Sequence, residues 1–425
     1  MKTLIKNVNA LLPDGTTPQT NICIDCDKIV AIGEVPEHFH PGHVIDGADH
    51  LAIPGLVNAH THASMTLFRS YADDMMLQEW LEDKLWPREA LMTKGDIYWG
   101  AMLAMVEFIK TGTTSFLDMY GPYMELVAEA TMDAGLRGVL SRGMIGLAPD
   151  ADAKLEENIE LYKNFHGADN GRITVMFAPH APYTCPPDYL RKVSEAAKSF
   201  GAGIHIHMHE TQREVDDYIK QYGKRSFKAV EETGLFDSPT VAAHCVHLDE
   251  EDIDIIKKHN ISVAHNPGSN LKLASGIAPV PRLLTEGVNV ALGTDGAASN
   301  NNLDMLEEVN LAAMIHKGNT NDPLAVPALT AMKMGTENGA KALGLKDIGR
   351  LETGYKADIT LLNMQGPAWC PRHNLLSLAV YSAHSESVDT VLVDGRVLME
   401  KGELRTLDEE RIYAEARRCA KRLCY

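Results

Sequence analysis

The chain lacks any stretch of about twenty consecutive apolar residues, and its opening segment, MKTLIKNVNALLPDG, has no uninterrupted apolar run of secretory length. Neither a membrane span nor an export signal is expected, and a cytoplasmic location follows. A cationic excess is also missing: 58 acidic residues face 40 basic ones, a formal net charge of -18. Such a field repels phosphate backbones and anionic lipid, so neither nucleic acid nor a membrane surface is an expected partner. Nor is there a disulfide framework. The seven cysteines (Cys23, Cys26, Cys185, Cys245, Cys370, Cys419 and Cys424) form an odd, irregularly spaced set that suits a reducing compartment. Cys23 and Cys26 make a single CxxC, but a zinc knuckle needs a second pair and a redox motif needs a helix start. ICIDCDKIV reads instead as a strand carrying both cysteines.

What is present is the material of an enzyme-sized globular protein: 425 residues, 45% hydrophobic and 23% charged. The first fifty residues read as short strands punctuated by turns, among them Asp14-Gly15, with a further strand around Val44 and Ile45. ADITLLN (357–363) and TVLVDGRVLMEKGEL (390–404), the latter with a hairpin-prone Asp394-Gly395, have the same character. The expected division is residues 1–54 as the N-terminal part of a small flanking β-sandwich, 55–350 as a catalytic barrel, and 351–425 as the rest of the sandwich plus a terminal helix.

Between the two β segments, apolar β-rich runs alternate with longer helical patterns, the mark of βα units around a parallel sheet. Eight runs can be counted: GLVNAHTH (55–62), TTSFLD (113–118), RGVLSRG (137–143), ITVMFAP (173–179), GIHIHMH (203–209), TVAAH (240–244), ISVAHN (261–266) and NVALGTD (289–295). Eight is the number that closes a TIM-like (β/α)8 barrel, so the expected fold class is α/β of that type. Most of these runs begin apolar and finish in His, Asp or Arg. Closure would gather those side chains at the carboxyl ends of the strands, where active sites of this fold sit.

His60 and His62 lie two apart on a strand and point the same way, so one metal can take both. In GIHIHMHET, His205, His207 and His209 alternate in the same manner, and spacing alone does not say which is a ligand. Asp295 ends a buried strand and opens a glycine-containing loop, a costly place for a carboxylate unless it is paired or binds a cation. An isolated HxH is more often structural. Histidines on the first, fifth and sixth strands with an aspartate on the eighth are hard to obtain by chance, and imidazoles with a carboxylate suit catalytic zinc, which lowers the pKa of water toward about 7.

The motifs PGLVNAHTH, RGMIGL, LEEN, APHAPYTC, HMHET, AHCVHL, HNPGSNLKLASGIAPV and LGTDGAASNN together resemble the amidohydrolase superfamily, and within it the methylthioadenosine/S-adenosylhomocysteine deaminase branch. The resemblance spans nearly the whole chain. It implies that His207 is the fifth-strand ligand and Glu210 a catalytic acid, with His205 and His209 structural neighbours. By the same matching, His60, His62 and Asp295 complete a metal site and His244 orients the attacking water. Dinuclear relatives bridge two metals with a lysine at the end of the fourth strand; APHAPYT has His180 there, so one Zn2+ per subunit is expected. Fe2+ or Mn2+ suits a similar cage.

The implied activity is hydrolytic removal of the 6-amino group of an adenosine-type nucleoside, giving an inosine analogue and ammonia. Glu210 would protonate N1, and Asp295 would take the proton of the attacking water and help pass it to ammonia. Glu89 would bind ribose hydroxyls, and Arg142 and His180 would complete the nucleoside pocket. Trp80 and Trp86 read as packing residues. Where some members carry an arginine before LEEN that grips an amino-acid carboxylate, this chain has Lys154, only a point charge. Adenosine, 5'-deoxyadenosine or methylthioadenosine is then as suitable a substrate as S-adenosylhomocysteine. The competing readings are a sister enzyme acting on guanine or a chlorinated triazine, against which Glu89, Arg142 and His180 argue, and a metal-free scaffold relative. A homo-oligomer is compatible with the sequence.

Overall fold

A computed structural model of the chain describes residues 2–424. The eight apolar runs form strands within a residue or two of their expected limits: Leu56–His62, Thr113–Tyr120, Arg137–Met144, Ile173–Val175 continued by Ala178–Pro179, Ile204–Met208, Thr240–His244, Ser262–His265, and Val290–Leu292 continued by Asp295–Gly296. Each pairs in parallel with the next, a bridge from Phe177 to Ile204 joins the fourth to the fifth, and Asp295 pairs with Thr61 to close the ring. The chain therefore has the (β/α)8 barrel expected of it. Side chains fix the closing seam: Asn58 Nδ2 donates to Thr294 Oγ1 (2.7 Å), and Thr294 N–H donates back to Asn58 Oδ1 (3.1 Å). The barrel interior is packed solid by Val57, Leu117, Val139, Met176, Val241 and Ala264, all buried. That packing keeps the polar strand ends at one mouth.

Helices fill the intervals, and their ends carry the expected local chemistry. Thr93 and Asp96 make a capping box on helix Lys94–Lys110, and Asp249 and Asp252 make another on Glu250–Lys258. Between Leu77 and Glu89 a run of short helical pieces, with a wider π stretch at Trp80–Leu85, crosses above the barrel mouth. No helix among the described residues is long and apolar enough to cross a membrane.

The flanking β unit is a nine-stranded sheet drawn from both chain ends, in which His50–Pro54 pairs antiparallel with Ile359–Asn363. It encloses its own core, including Ile5, Ile22, Ile24 and Ile359. Asp394 and Gly395, both at positive φ (49° and 69°), join Val388–Val393 to Arg396–Glu400 as a two-residue hairpin. One expectation needs correction. ICIDCDKIV is not a single strand: it breaks into Gln19–Asp25 and Lys28–Ile32, and Cys26 sits in the turn at φ 55°. The Cys26-Asp27 pair supplies the turn, which the β-rich flanks concealed.

Sheet and barrel are tied by a buried ion cluster. Arg137, at the start of the third barrel strand, donates through Nε to Asp358 (3.2 Å) and through Nη2 to Asp394 (2.7 Å). Arg137 and Asp358 are almost fully buried. Because Arg137→Leu would leave the buried Asp358 carboxylate without its cation, while Asp394 keeps Lys356 and Arg172, it is expected to destabilise the fold by about 3–5 kcal/mol. Chemical denaturation checks this, and a loss under 1 kcal/mol would refute it.

Candidate active site and metal centre

Strand alternation turns His60 and His62 to the same side of the barrel, and their neighbours set which ring nitrogen is available. His62 Nδ1 bonds the carbonyl of Met119, His207 Nδ1 donates to the carbonyl of His180 (2.7 Å), and His60 Nδ1 lies 2.7 Å from His205 Nε2. With all three Nδ1 atoms engaged, the three Nε2 atoms are left to face inward, the arrangement in which outer partners orient metal ligands. Asp295 Oδ1 lies 3.3 Å from His60 Nε2 and 3.1 Å from His62 Nε2. One ligand atom each from His60, His62 and His207 lie within 4.8 Å of one another, and so do those of His60, His244 and Asp295.

These residues fit a divalent cation. His60 Nε2 is buried with no hydrogen-bond partner of its own, an atom that otherwise needs an explanation. Burial pushes the His60 imidazole down to about 3 and holds His207 well below its ordinary range, so both present a lone pair rather than a proton. Burial acts on His62 in the same sense but is outweighed by the Asp295 carboxylate, which raises it to about 9. Burial opposes ionisation of Asp295, yet the adjoining imidazoles keep its pKa well below the carboxylate range. Three imidazoles and one carboxylate are the donor types of a catalytic zinc centre.

The strand ends are bent to present these groups. His209, His244, Cys245 and Asp295 all have positive φ (50°, 71°, 49° and 61°), unusual for residues with side chains. Gly293 makes the approach possible: a Cβ there would lie 2.5 Å from Asn266 Oδ1 and 2.8 Å from the His60 backbone nitrogen. Asp295 Oδ2 is held by the hydroxyls of Ser269 (2.6 Å) and Ser299 (2.8 Å), leaving Oδ1 toward the histidines. His244 Nδ1 bonds Asn270 Oδ1 (2.8 Å), and its Nε2 lies 3.7 Å from Glu210 Oε2.

Glu210 itself is 6% exposed, and burial raises its pKa, an effect that the nearby His244 partly offsets. The Glu214 carboxylate accepts the backbone N–H groups of His209 and Glu210, both at 3.1 Å, which holds the turn that aims Glu210. Above these groups lies a cavity of about 550 Å³ whose lining includes Glu89, Arg142, His180 and Glu210. Its size suits a nucleoside-sized ligand. Glu89 accepts from the Tyr120 hydroxyl (2.8 Å), and burial raises its pKa. His180 is pushed down to about 4 by burial and by the neighbouring His62 and His244, and its Nδ1 bonds Thr184 (2.9 Å). Arg142 donates to Glu157 (2.5 Å), and Lys154 to Asp150 (2.5 Å); both cations reach the cavity already paired. Trp80 and Trp86 also wall the cavity, Trp80 with its indole N–H on the Ala72 carbonyl. A larger hollow of about 730 Å³ lies over the flanking sheet, but Lys356 and Asp394 on its wall are already paired, with Asp27 and Arg137.

Glu89, Arg142, His180, His207, Glu210, His244, His62 and Asp295 thus line the cavity, and His60 lies in the cluster beneath it. Reasoning from sequence passed over Ser269, Asn270, Ser299 and Glu214. The first three stand inside HNPGSN and DGAASNN, whose small polar residues around a buried carboxylate were a usable signal. His209 bonds Ser226 (2.7 Å) and lies beside Asp252, whereas His205 contacts the cluster directly.

Comparison with known proteins agrees with this geometry. Residues 51–398 match the group described as the Amidohydrolase family. A 5-methylthioadenosine/S-adenosylhomocysteine deaminase of Pelotomaculum thermopropionicum is 52% identical over 414 residues, covering 97% of this chain and 95% of that protein. One from Dictyoglomus thermophilum is 50% identical, covering 99% and 98%. Among solved structures, an adenosine deaminase from Xanthomonas campestris with bound zinc superposes with a TM-score of 0.94 at 33% identity, covering 99% and 98%. An atrazine chlorohydrolase from Arthrobacter aurescens reaches a TM-score of 0.92 at 24% identity, covering 98% and 100%, a likeness of fold alone.

Proposed function

This chain belongs to the amidohydrolase family and, within it, to the 5-methylthioadenosine/S-adenosylhomocysteine deaminases; from that premise we infer a hydrolytic deaminase acting on the 6-amino group of adenosine-type nucleosides. The products are the inosine analogue and ammonia. The observation that carries the reading is that ligand atoms of His60, His62 and His207 lie within 4.8 Å of one another, with Asp295 Oδ1 3.3 Å from His60 and 3.1 Å from His62, beneath a nucleoside-sized cavity that Glu210 also enters.

We assign one Zn2+ to these four residues. When bound, the ion supplies Lewis acidity, making water acidic enough to attack C6 at neutral pH. Glu210, whose pKa burial raises, delivers its proton to N1 as negative charge builds on the ring and takes one back from the C6 hydroxyl as ammonia leaves. Asp295 Oδ1 receives the proton of the attacking water and returns it to the departing ammonia, while its Oδ2 stays fixed by Ser269 and Ser299. His244, its Nδ1 fixed by Asn270, presents Nε2 to the nucleophile. Glu89 takes the ribose hydroxyls, and Arg142 and His180 close the pocket around the nucleoside.

The 5' substituent would lie toward Lys154, whose charge is shared with Asp150. A single ammonium already paired holds a carboxylate less well than a bidentate guanidinium. Methylthioadenosine, 5'-deoxyadenosine and adenosine should therefore be turned over at least as well as S-adenosylhomocysteine. Ammonia release over those four nucleosides and guanine tests the whole reading. Ammonia from the adenosine analogues and none from guanine is expected; ammonia from guanine alone, or chloride from a triazine, would replace it.

A further inference from the structure

The histidine His205 is used by neither the metal assignment nor the chemistry above, yet it is wholly buried and its Nε2 lies 2.7 Å from His60 Nδ1. We propose that His205 is a positioning residue for the metal centre, a neutral outer partner that accepts the Nδ1 proton of His60 and so holds His60 Nε2 in its ligating form. The inference rests on the metal assignment to His60.

Counting protons leads to this assignment. Two ring nitrogens 2.7 Å apart share one hydrogen. If His60 gives its Nε2 lone pair to a cation, its hydrogen is on Nδ1, and His205 Nε2 must be the acceptor. His205 then carries its own hydrogen on Nδ1, which is buried and meets no protein partner among the described residues. The strand register supplies the means: His205 and His207 alternate on Ile204–Met208, so one strand provides both a ligand and the partner of another ligand.

The chemical type of the partner matters as well. Ligating histidines commonly give their second N–H to a carboxylate, a backbone carbonyl or water. Met119 and His180 supply carbonyls to His62 and His207, and only His60 meets a side chain of another residue. A carboxylate at position 205 would add a second negative charge beside Asp295 and dampen the cation's pull on water. A neutral imidazole orients His60 without that cost.

The test uses the zinc-loaded protein and reads zinc affinity by chelator competition, with His205→Leu and His205→Gln compared. Leucine removes the acceptor but keeps an apolar filler, whereas the glutamine amide oxygen can reach the place of Nε2. Zinc affinity is expected to fall about 10–100-fold in His205→Leu and to stay within about threefold in His205→Gln. A role in packing alone would give the reverse order, with leucine tolerated and the buried amide disruptive; that order, or equal affinities, overturns the proposal. Nitrogen-15 NMR of the wild-type zinc form gives an answer independent of whether the variants fold. A proton on Nδ1 and none on Nε2 of His205 supports the assignment, and a proton on Nε2 overturns it. Wild-type protein that takes up no zinc would overturn the metal assignment and this inference together, whereas zinc uptake unaffected by His205→Leu would overturn this inference alone.

Discussion

Glu210→Gln is expected to keep its metal and lose about 10²–10⁴ of its turnover, the range assigned to a positioned proton donor. The amide fills the same space and still meets the cavity, but it has no proton to give to N1. The donor atoms of His60, His62, His207 and Asp295 are untouched, so metal content measured by atomic absorption should stay at the wild-type level. The pH profile gives a second reading. Burial raises the Glu210 pKa, so the acid form persists to higher pH than an ordinary glutamate allows, and wild-type activity should fall on the alkaline side as that proton is lost. The residual rate of Glu210→Gln should lack this alkaline limb. Turnover near the wild-type value would remove Glu210 from the chemistry.

Stripping the metal should have the other large effect. Dialysis against a strong chelator is expected to abolish measurable ammonia release, and added Zn2+ should restore it, because the ion is what brings the pKa of water toward neutrality. Stability should move in parallel. A ligand held at a hundred times its dissociation constant stabilises the folded form by about 2.7 kcal/mol, so the melting temperature should drop on stripping and recover on reloading. His62→Ala should show the stripped behaviour even with zinc present, since it removes one of the donors clustered with His60 and Asp295. Full activity in a protein stripped of zinc would end the reading, as would Fe2+ or Mn2+ restoring activity where zinc does not, for the choice of ion.

Much of the fold could be read from the sequence because strand alternation and apolar runs carry it directly. Even TVAAH, too short to be secure from periodicity, is strand Thr240–His244. The candidate ligands were visible for a related reason: a polar residue closing an apolar run is conspicuous. What escaped was set by approach between distant segments. Ser269 and Ser299 reach Asp295 from two separate loops, and Glu214 folds back over four residues onto the backbone ahead of its helix. None of these contacts leaves a period in the sequence. On the fifth strand, spacing could not separate three equivalent histidines; in the structure they differ in what stands opposite, His60 for His205, the inward cluster for His207, and Ser226 for His209. The Cys26 turn escaped because both flanks are strand-like and a non-glycine residue occupies positive φ.

The flanking sheet has a consequence for how the molecule is made. Ala52 pairs with Leu361, so an early strand waits for a partner synthesised roughly 300 residues later. At ribosomal rates of about 5–20 residues per second, that delay is on the order of 15–60 seconds. During that interval Leu51, Ala52 and Ile53, all wholly buried in the finished protein, have an open edge available to any other nascent chain. Yield in cells should consequently depend on translation speed and chaperone supply more than on the stability of the completed barrel.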